Sequence, residues 1–242
     1  MENSTIKQKG ALSKEELLDQ KVQRRSFLKY AGAGVAGIAL VAAGCKQSNY
    51  NPDDPENGFG PGISLGTGDV AILNYAYALE QLEAAFYIQA VATPYSGMTA
   101  TETAFLTDIR DHEIAHREFF KAAISANGAT PIKNLTVDFS SINFSSRASV
   151  LGTAMAFEDL GVSAYDGAGY LLQNANFLLL AGKIVSVEAR HAALIRELIS
   201  PNTFLGDQVD SSSVNISRTP AQVLAIAGTY IKTKIDPSTI PA

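Results

Sequence analysis

The sequence predicts an all-α protein, a four-helix bundle with one long crossover and an extra C-terminal helix. Three observations carry this. Apolar residues recur every three or four positions in four long segments. Those segments repeat each other in pairs. Their connections run short, long, short, the order expected of two antiparallel helical hairpins joined by a single crossover.

The first helix is expected from Asp69 to about Val91, where Val70, Leu73, Ala76, Glu80, Glu83 and Tyr87 fall on one inward stripe. Thr99 with Glu102 three residues on is a capping-box signature. It opens a second helix through Leu106, Ile109, Glu113, His116 and Phe120, which Asn127-Gly128 closes. From Ala129 to about Ser146, Pro131 and short Ser/Asn alternations break any helical period, so a crossover with a short extended piece is expected. A third helix spans about Ala148 to Asn174, with Leu151, Ala154, Glu158, Val162 and Tyr165 on one side. A fourth spans about Asn176 to Ser200, where Ala181, Ile184, Glu188, His191, Ile195 and Leu198 share a stripe and Pro201 ends it. Thr219-Pro220 then supplies an N-cap and first-turn proline for a fifth helix to about Lys232.

The bundle domain is therefore placed at residues 69–242, and what precedes it reads as an export leader and a tether. Arg24-Arg25-Ser26-Phe27-Leu28-Lys29 leads into the apolar, glycine-rich run Tyr30 to Gly44, shorter than the roughly 20 residues that span a bilayer. Residues 1–44 resemble a twin-arginine signal, which sends folded proteins across a bacterial inner membrane; an ordinary secretory signal carrying two arginines is the alternative. Cys45, the one cysteine, follows Val41-Ala42-Ala43-Gly44 and resembles a lipoprotein acylation site, although Ala42 stands where leucine is usual. A buried thiol or simple cleavage nearby is the plainer alternative. Residues 45–68, rich in Gln, Ser, Asn, Pro, Asp and Gly, read as a flexible tether. The expected location is the bacterial envelope, periplasmic or anchored to its membrane by lipid.

A single cysteine excludes an intrachain disulfide, a zinc ribbon and a Cys-x-x-Cys redox pair. The leader takes 7 of the 19 Lys+Arg and 4 of the 24 Asp+Glu, leaving 12 basic against 20 acidic residues from Cys45 onward. That balance argues against nucleic acid as a partner. Any chemistry must rest on oxygen and nitrogen donors.

The repeat supplies such donors. ALEQLEAAFY from Ala78 matches AFEDLGVSAY from Ala156, which aligns Glu80 with Glu158 and Tyr87 with Tyr165. Glu113-Ile-Ala-His116 matches Glu188-Ala-Arg-His191, each a Glu-x-x-His. Residues three apart on a helix project from one face, so the Glu and His of each motif can bind one ion. One such motif is common by chance. Here two of the three histidines sit in it, both on apolar stripes, with a Glu at matching height on each remaining stripe. Glu80, Glu113, His116, Glu158, Glu188 and His191 thus form the ligand set of a two-metal carboxylate bundle. Two divalent ions would also neutralise four carboxylates that otherwise lose hydration and repel one another. The donors suit two iron or two manganese ions without choosing between them.

Other residues stay open. Glu83, three residues after Glu80, could ligate in its place or in addition, but its repeat counterpart is Gly161. Tyr87 and Tyr165 could hydrogen-bond a ligating carboxylate, pass an electron, or simply fill the core. His112 points about 100° from Glu113 and is expected exposed or beside the ligands rather than among them. Asp111 and Asp159 could orient a histidine or remain solvated.

At LEQLEAAFY, the Glu-x-x-His of the second helix, EARHAALIRELI and the Thr-Pro-Ala-Gln start of the last helix, the chain resembles the ferritin-like family that includes the desiccation-related proteins. The likeness covers roughly Asp69 to the C-terminus. It implies a ferritin-like bundle with a di-iron site, in a family whose activity is largely unassigned. Two adjacent iron or manganese ions could share the electrons for redox chemistry on a small oxidant or on ferrous ion; the alternative is a non-enzymatic stress, desiccation-associated or metal-buffering role. A homo-oligomer fits the resemblance, although a tether and lipid anchor would crowd a closed shell. The lack of Cys-x-x-Cys pairs departs from the rubrerythrins, which carry an iron–sulfur donor.

Overall fold

Residues 62–240 are described by a computed structural model; the expected export signal, Cys45 and most of the expected tether lie outside the described residues. Four long helices form the bundle: α1 (Gly68–Ala92), α2 (Ala100–Ala126), α3 (Arg147–Ala168) and α4 (Ala175–Ile199). A shorter α5 (Pro220–Ala227) follows. α1 pairs with α2 and α3 with α4, and the two hairpins face each other across the core. Among the described residues no helix is long and apolar enough to cross a membrane.

The helix starts follow from local chemistry. Thr99 Oγ1 accepts from the Glu102 backbone N–H at 3.1 Å, and Glu102 Oε2 accepts from the Thr99 N–H at 2.9 Å, the reciprocal capping box expected for α2. Thr219 and Gln222 make the same box at α5, with Pro220 in the first turn. At the other end of the bundle the Asp69 carboxylate accepts from the backbone N–H groups of Gln173 and Asn174, at 2.8 and 2.9 Å. The start of α1 therefore meets the end of α3, so these two helices run antiparallel.

α1 departs from the single-stripe expectation. Asn74 and Gln81, on the side away from the other helices, are buried as fully as its apolar residues. The crossover covers them: Ile132 and Leu135 donate backbone N–H groups to Asn74 Oδ1 and Gln81 Oε1 at 2.9 and 2.8 Å. Phe139 and Phe144 pack on Phe86 of α1, with ring centroids 6.0 and 5.9 Å away. Buried polar groups need partners, and the two amide oxygens find theirs in the backbone of a loop that has no ladder of its own.

Three boundaries differ from expectation. α3 stops at Ala168 rather than near Asn174, and Gly169–Leu171 form a 3-10 turn. The reason is that Asp69 draws the N–H groups of Gln173 and Asn174 out of helical geometry. α5 stops at Ala227 rather than Lys232, because the next backbone pairs with the crossover: Asp138 N–H donates to Tyr230 O and Lys232 N–H to Thr136 O, both at 2.8 Å. The extended piece expected in the crossover is this Val137–Ile231 bridge. Lastly, β1 (Ile63–Ser64) pairs in parallel with β2 (Ile235–Asp236) and Leu65 is fully buried. Packing thus begins before the expected end of the tether at residue 68.

Candidate metal centre

Glu80 of α1, Glu113 and His116 of α2, Glu158 of α3, and Glu188 and His191 of α4 converge at mid-height in the bundle core. Five are fully buried and His116 is nearly so. Their donor atoms fall into two groups. Glu80, Glu113, His116 and Glu188 form one, and Glu113, Glu158, Glu188 and His191 the other, with the atoms of each group within 4.8 Å of one another. Glu113 and Glu188 belong to both. The repeat is thus a structural exchange: each half contributes one outer Glu, one His and one shared Glu.

The hydrogen bonding divides the oxygens in the same way. Tyr87 Oη donates to Glu158 Oε1 at 2.5 Å, and Tyr165 Oη donates to Glu80 Oε1. Each outer carboxylate so gives one oxygen to a phenol and keeps Oε2 without a hydrogen-bond partner. Glu113 and Glu188 keep both oxygens free, and Nδ1 of each histidine is free as well. His116 Nδ1 lies 2.7 Å from Glu188 Oε1 and His191 Nδ1 lies 2.8 Å from Glu113 Oε1, yet neither contact has hydrogen-bond geometry. Buried polar atoms without partners are rare and costly. A cation between them is the partner that would satisfy this many acceptors at once, so the donor set fits a metal centre.

The electrostatics agree. Burial pulls His116 down, but the carboxylates of Glu113, Glu188 and Glu80 outweigh it and push the imidazole up to about 12. His191 is driven up in the same way, chiefly by Glu158 and Glu113 against burial. Burial, then the charge of Glu188, raises Glu113 to about 8. Glu188 is opposed by burial but held down to about 2 by both imidazoles. Protons on the histidines thus do part of the neutralising that divalent cations would do better.

The surrounding residues resolve several open expectations. His112 is exposed on one side, but its Nδ1 lies 2.9 Å from His191 Nε2, with the rings stacked. It touches a member of the cage without joining it. Asp111 pairs with Arg110 at 2.7 Å on the surface, and Asp159 binds Arg196 at 2.5 and 3.0 Å; neither orients a histidine. Glu83 is buried but lies outside both groups. Its Oε1 sits 3.0 Å from where a Cβ on Gly161 would be. Burial and the charges of Glu113, Glu188, Glu80 and Glu158 hold its carboxyl well above the usual range.

Sequence reasoning located the six converging residues and the neighbourhood of His112. It did not find that each tyrosine bonds the glutamate of the opposite half, because the seven-residue spacing places Tyr and Glu on one helix and says nothing of the facing one.

A bundle of two helical hairpins with four glutamates and two histidines converging in its core is a carboxylate-bundle protein whose centre could hold metal ions. The chain belongs to the ferritin-like domain family, whose model matches residues 68–201. No curated protein matches it.

Proposed function

We propose that the core holds two iron or manganese ions, that Glu113 and Glu188 would be available to both of them, and that the protein carries out redox chemistry with dioxygen, peroxide or ferrous ion. The observation that supports this is the sharing of two carboxylates, both of whose oxygens are free, between two otherwise separate donor groups. Glu80 with His116 would complete one ion's shell and Glu158 with His191 the other's. A pair of adjacent iron or manganese ions supplies two one-electron centres, which suits a two-electron oxidant.

The chain's own part is to hold and orient. Tyr165 and Tyr87 aim the outer carboxylates by occupying one oxygen of each. His112 engages His191 Nε2, which turns Nδ1 toward the cage. Leu79, Leu82, Leu106, Ile109 and Leu151 are buried in the apolar core of the same bundle. Export through a twin-arginine route, with or without a lipid on Cys45, would let the site load in the cytoplasm, away from the copper and zinc that compete best for such donors.

Metal analysis of natively exported protein tests the reading. About two transition ions per chain are expected, and fewer than one overturns it. Glu113→Gln together with Glu188→Gln should abolish metal-dependent turnover of peroxide or ferrous ion. A double variant whose cells keep their stress phenotype would instead mark a non-enzymatic envelope role, desiccation-associated or metal-buffering.

A further inference from the structure

A second feature lies one helical turn from the cage, on its Glu80–His116 side. Between the first half of α1 and the end of α3 is a cavity of about 20 Å3, lined by Ala76, Leu79, Phe120, Ala164, Ala168 and Ala181 among others. Ala76 stands four residues before Glu80, and Phe120 four after His116, so the cavity and the donor group share two helix faces. Tyr165 joins them physically. Its ring lines the cavity and its hydroxyl donates to Glu80.

The size and chemistry of this space select its occupant. A volume of about 20 Å3 has room for one molecule about the size of water or a diatomic gas. Water needs about two to four polar partners to stay in such a place. Of the two phenols in the lining, the Tyr165 hydroxyl is committed to Glu80 and only the buried, unpartnered Tyr75 hydroxyl remains. Hydrogen peroxide, with two hydroxyls to satisfy, is worse placed than water. A small apolar molecule loses nothing by entering.

We propose that this cavity is the chamber through which dioxygen reaches the Glu80–His116 side of the centre, and that dioxygen rather than hydrogen peroxide is the oxidant it admits. Its destination rests on the metal reading above; the cavity's preference for an apolar gas does not. Small side chains make the space: Ala76, Ala164, Ala168 and Ala181 stand where larger apolar residues would close it. Ala181 is half-buried, so a larger side chain there fills the cavity from its outer edge.

Two measurements test this on the metal-loaded, full-length exported protein. In crystals held under xenon, the gas should occupy the space between Ala76, Phe120 and Ala181, and Ala181→Phe should expel it. In stopped-flow oxidation of the ferrous-loaded protein, Ala181→Phe should slow the reaction with dioxygen about tenfold and leave that with hydrogen peroxide within about twofold. Should that variant not fold, Ala181→Leu is the smaller plug. Equal slowing of both oxidants, or of neither, overturns the proposal. A protein that binds iron but admits no xenon here loses the chamber alone, whereas one that admits xenon but binds no iron loses the metal reading and, with it, the chamber's destination.

Discussion

The two ring nitrogens of His191 do different things. Nε2 meets His112 Nδ1 at 2.9 Å, and Nδ1 faces Glu113, Glu158 and Glu188. Removing the outer partner frees the ring to turn. His112→Ala should therefore weaken metal binding on the His191 side about 10–100-fold while sparing the His116 side. Tyr165→Phe should do the reverse, since it releases the Glu80 oxygen that the phenol holds. Titration with Mn(II) followed by electron paramagnetic resonance separates the two, and equal weakening of both sites in either variant contradicts these roles. The six converging residues were legible because two Glu-x-x-His motifs and two matched glutamates form a pattern along the chain. The tyrosine pairing was not. Tyr87 lies two turns past Glu80, but because α1 and α3 run antiparallel it meets Glu158, and Tyr165 meets Glu80. The same antiparallel crossing explains the one break in the repeat. Residue 83 and its counterpart 161 face each other between α1 and α3, where a Cβ on Gly161 would come within 3.0 Å of Glu83 Oε1. Space there holds one large side chain, so one half carries Glu and the other Gly.

Within the elements, glycines show where helices must approach backbone and where they need not. Gly167, in the last turn of α3, has no room for a side chain: a Cβ would lie 1.8 Å from Arg218 O, and the Arg218 N–H donates to Ser163 O at 3.0 Å. Gly167→Ala must push the segment before α5 off α3, at a cost of about 1–3 kcal/mol or more. Gly182, in α4, has nothing within 4 Å of its would-be Cβ. Gly182→Ala should stabilise by about 0.5–1 kcal/mol, the difference in helix propensity. Thermal unfolding should move the two midpoints in opposite directions, and a neutral Gly167→Ala would disprove the close packing. Periodicity located α1, α2 and α4 to within a residue or two, because their caps and breakers are local. It overran α3 and α5, whose ends are set by Asp69 and by the crossover, both remote in sequence. It also read a stripe on α1 where burial runs nearly all round. A side chain covered by a loop leaves no periodic trace, and Asn74 and Gln81 look like surface residues until Ile132 and Leu135 are seen to need them.

For the molecule in its entirety, the cage and the cap impose a pH profile. Glu188 is held down to about 2 by the two imidazoles, and Glu102 to about 2 by Thr99 and Arg147, both against burial; their ordinary value is 4.5. Their contribution to stability is present above about 4.5 and is lost as pH falls toward about 2. Glu113 is shifted the other way, to about 8, so between about 4.5 and 8 the unfolded chain ionises it and the folded chain does not; stability falls as pH rises through that window. His116, raised to about 12, favours the fold fully below its ordinary 6.5 and loses that advantage as pH climbs through 12. Metal-free protein should accordingly be most stable near pH 5. Divalent ions displace the protons, so the rise in unfolding temperature on adding Mn(II) should grow from pH 5 to 8; a metal-induced rise that is flat across this range would contradict the protonated cage. The fold class, the helices of the bundle and the six residues that converge in its core could be read from the chain, because helical period, capping and an internal repeat are written along it. Packing alone settled which carboxylates are shared, which glutamate each phenol holds, what covers α1 and where a gas-sized space remains. Those depend on how antiparallel helices and a long crossover bring distant residues opposite one another, and spacing along a single helix carries no information about the helix it faces.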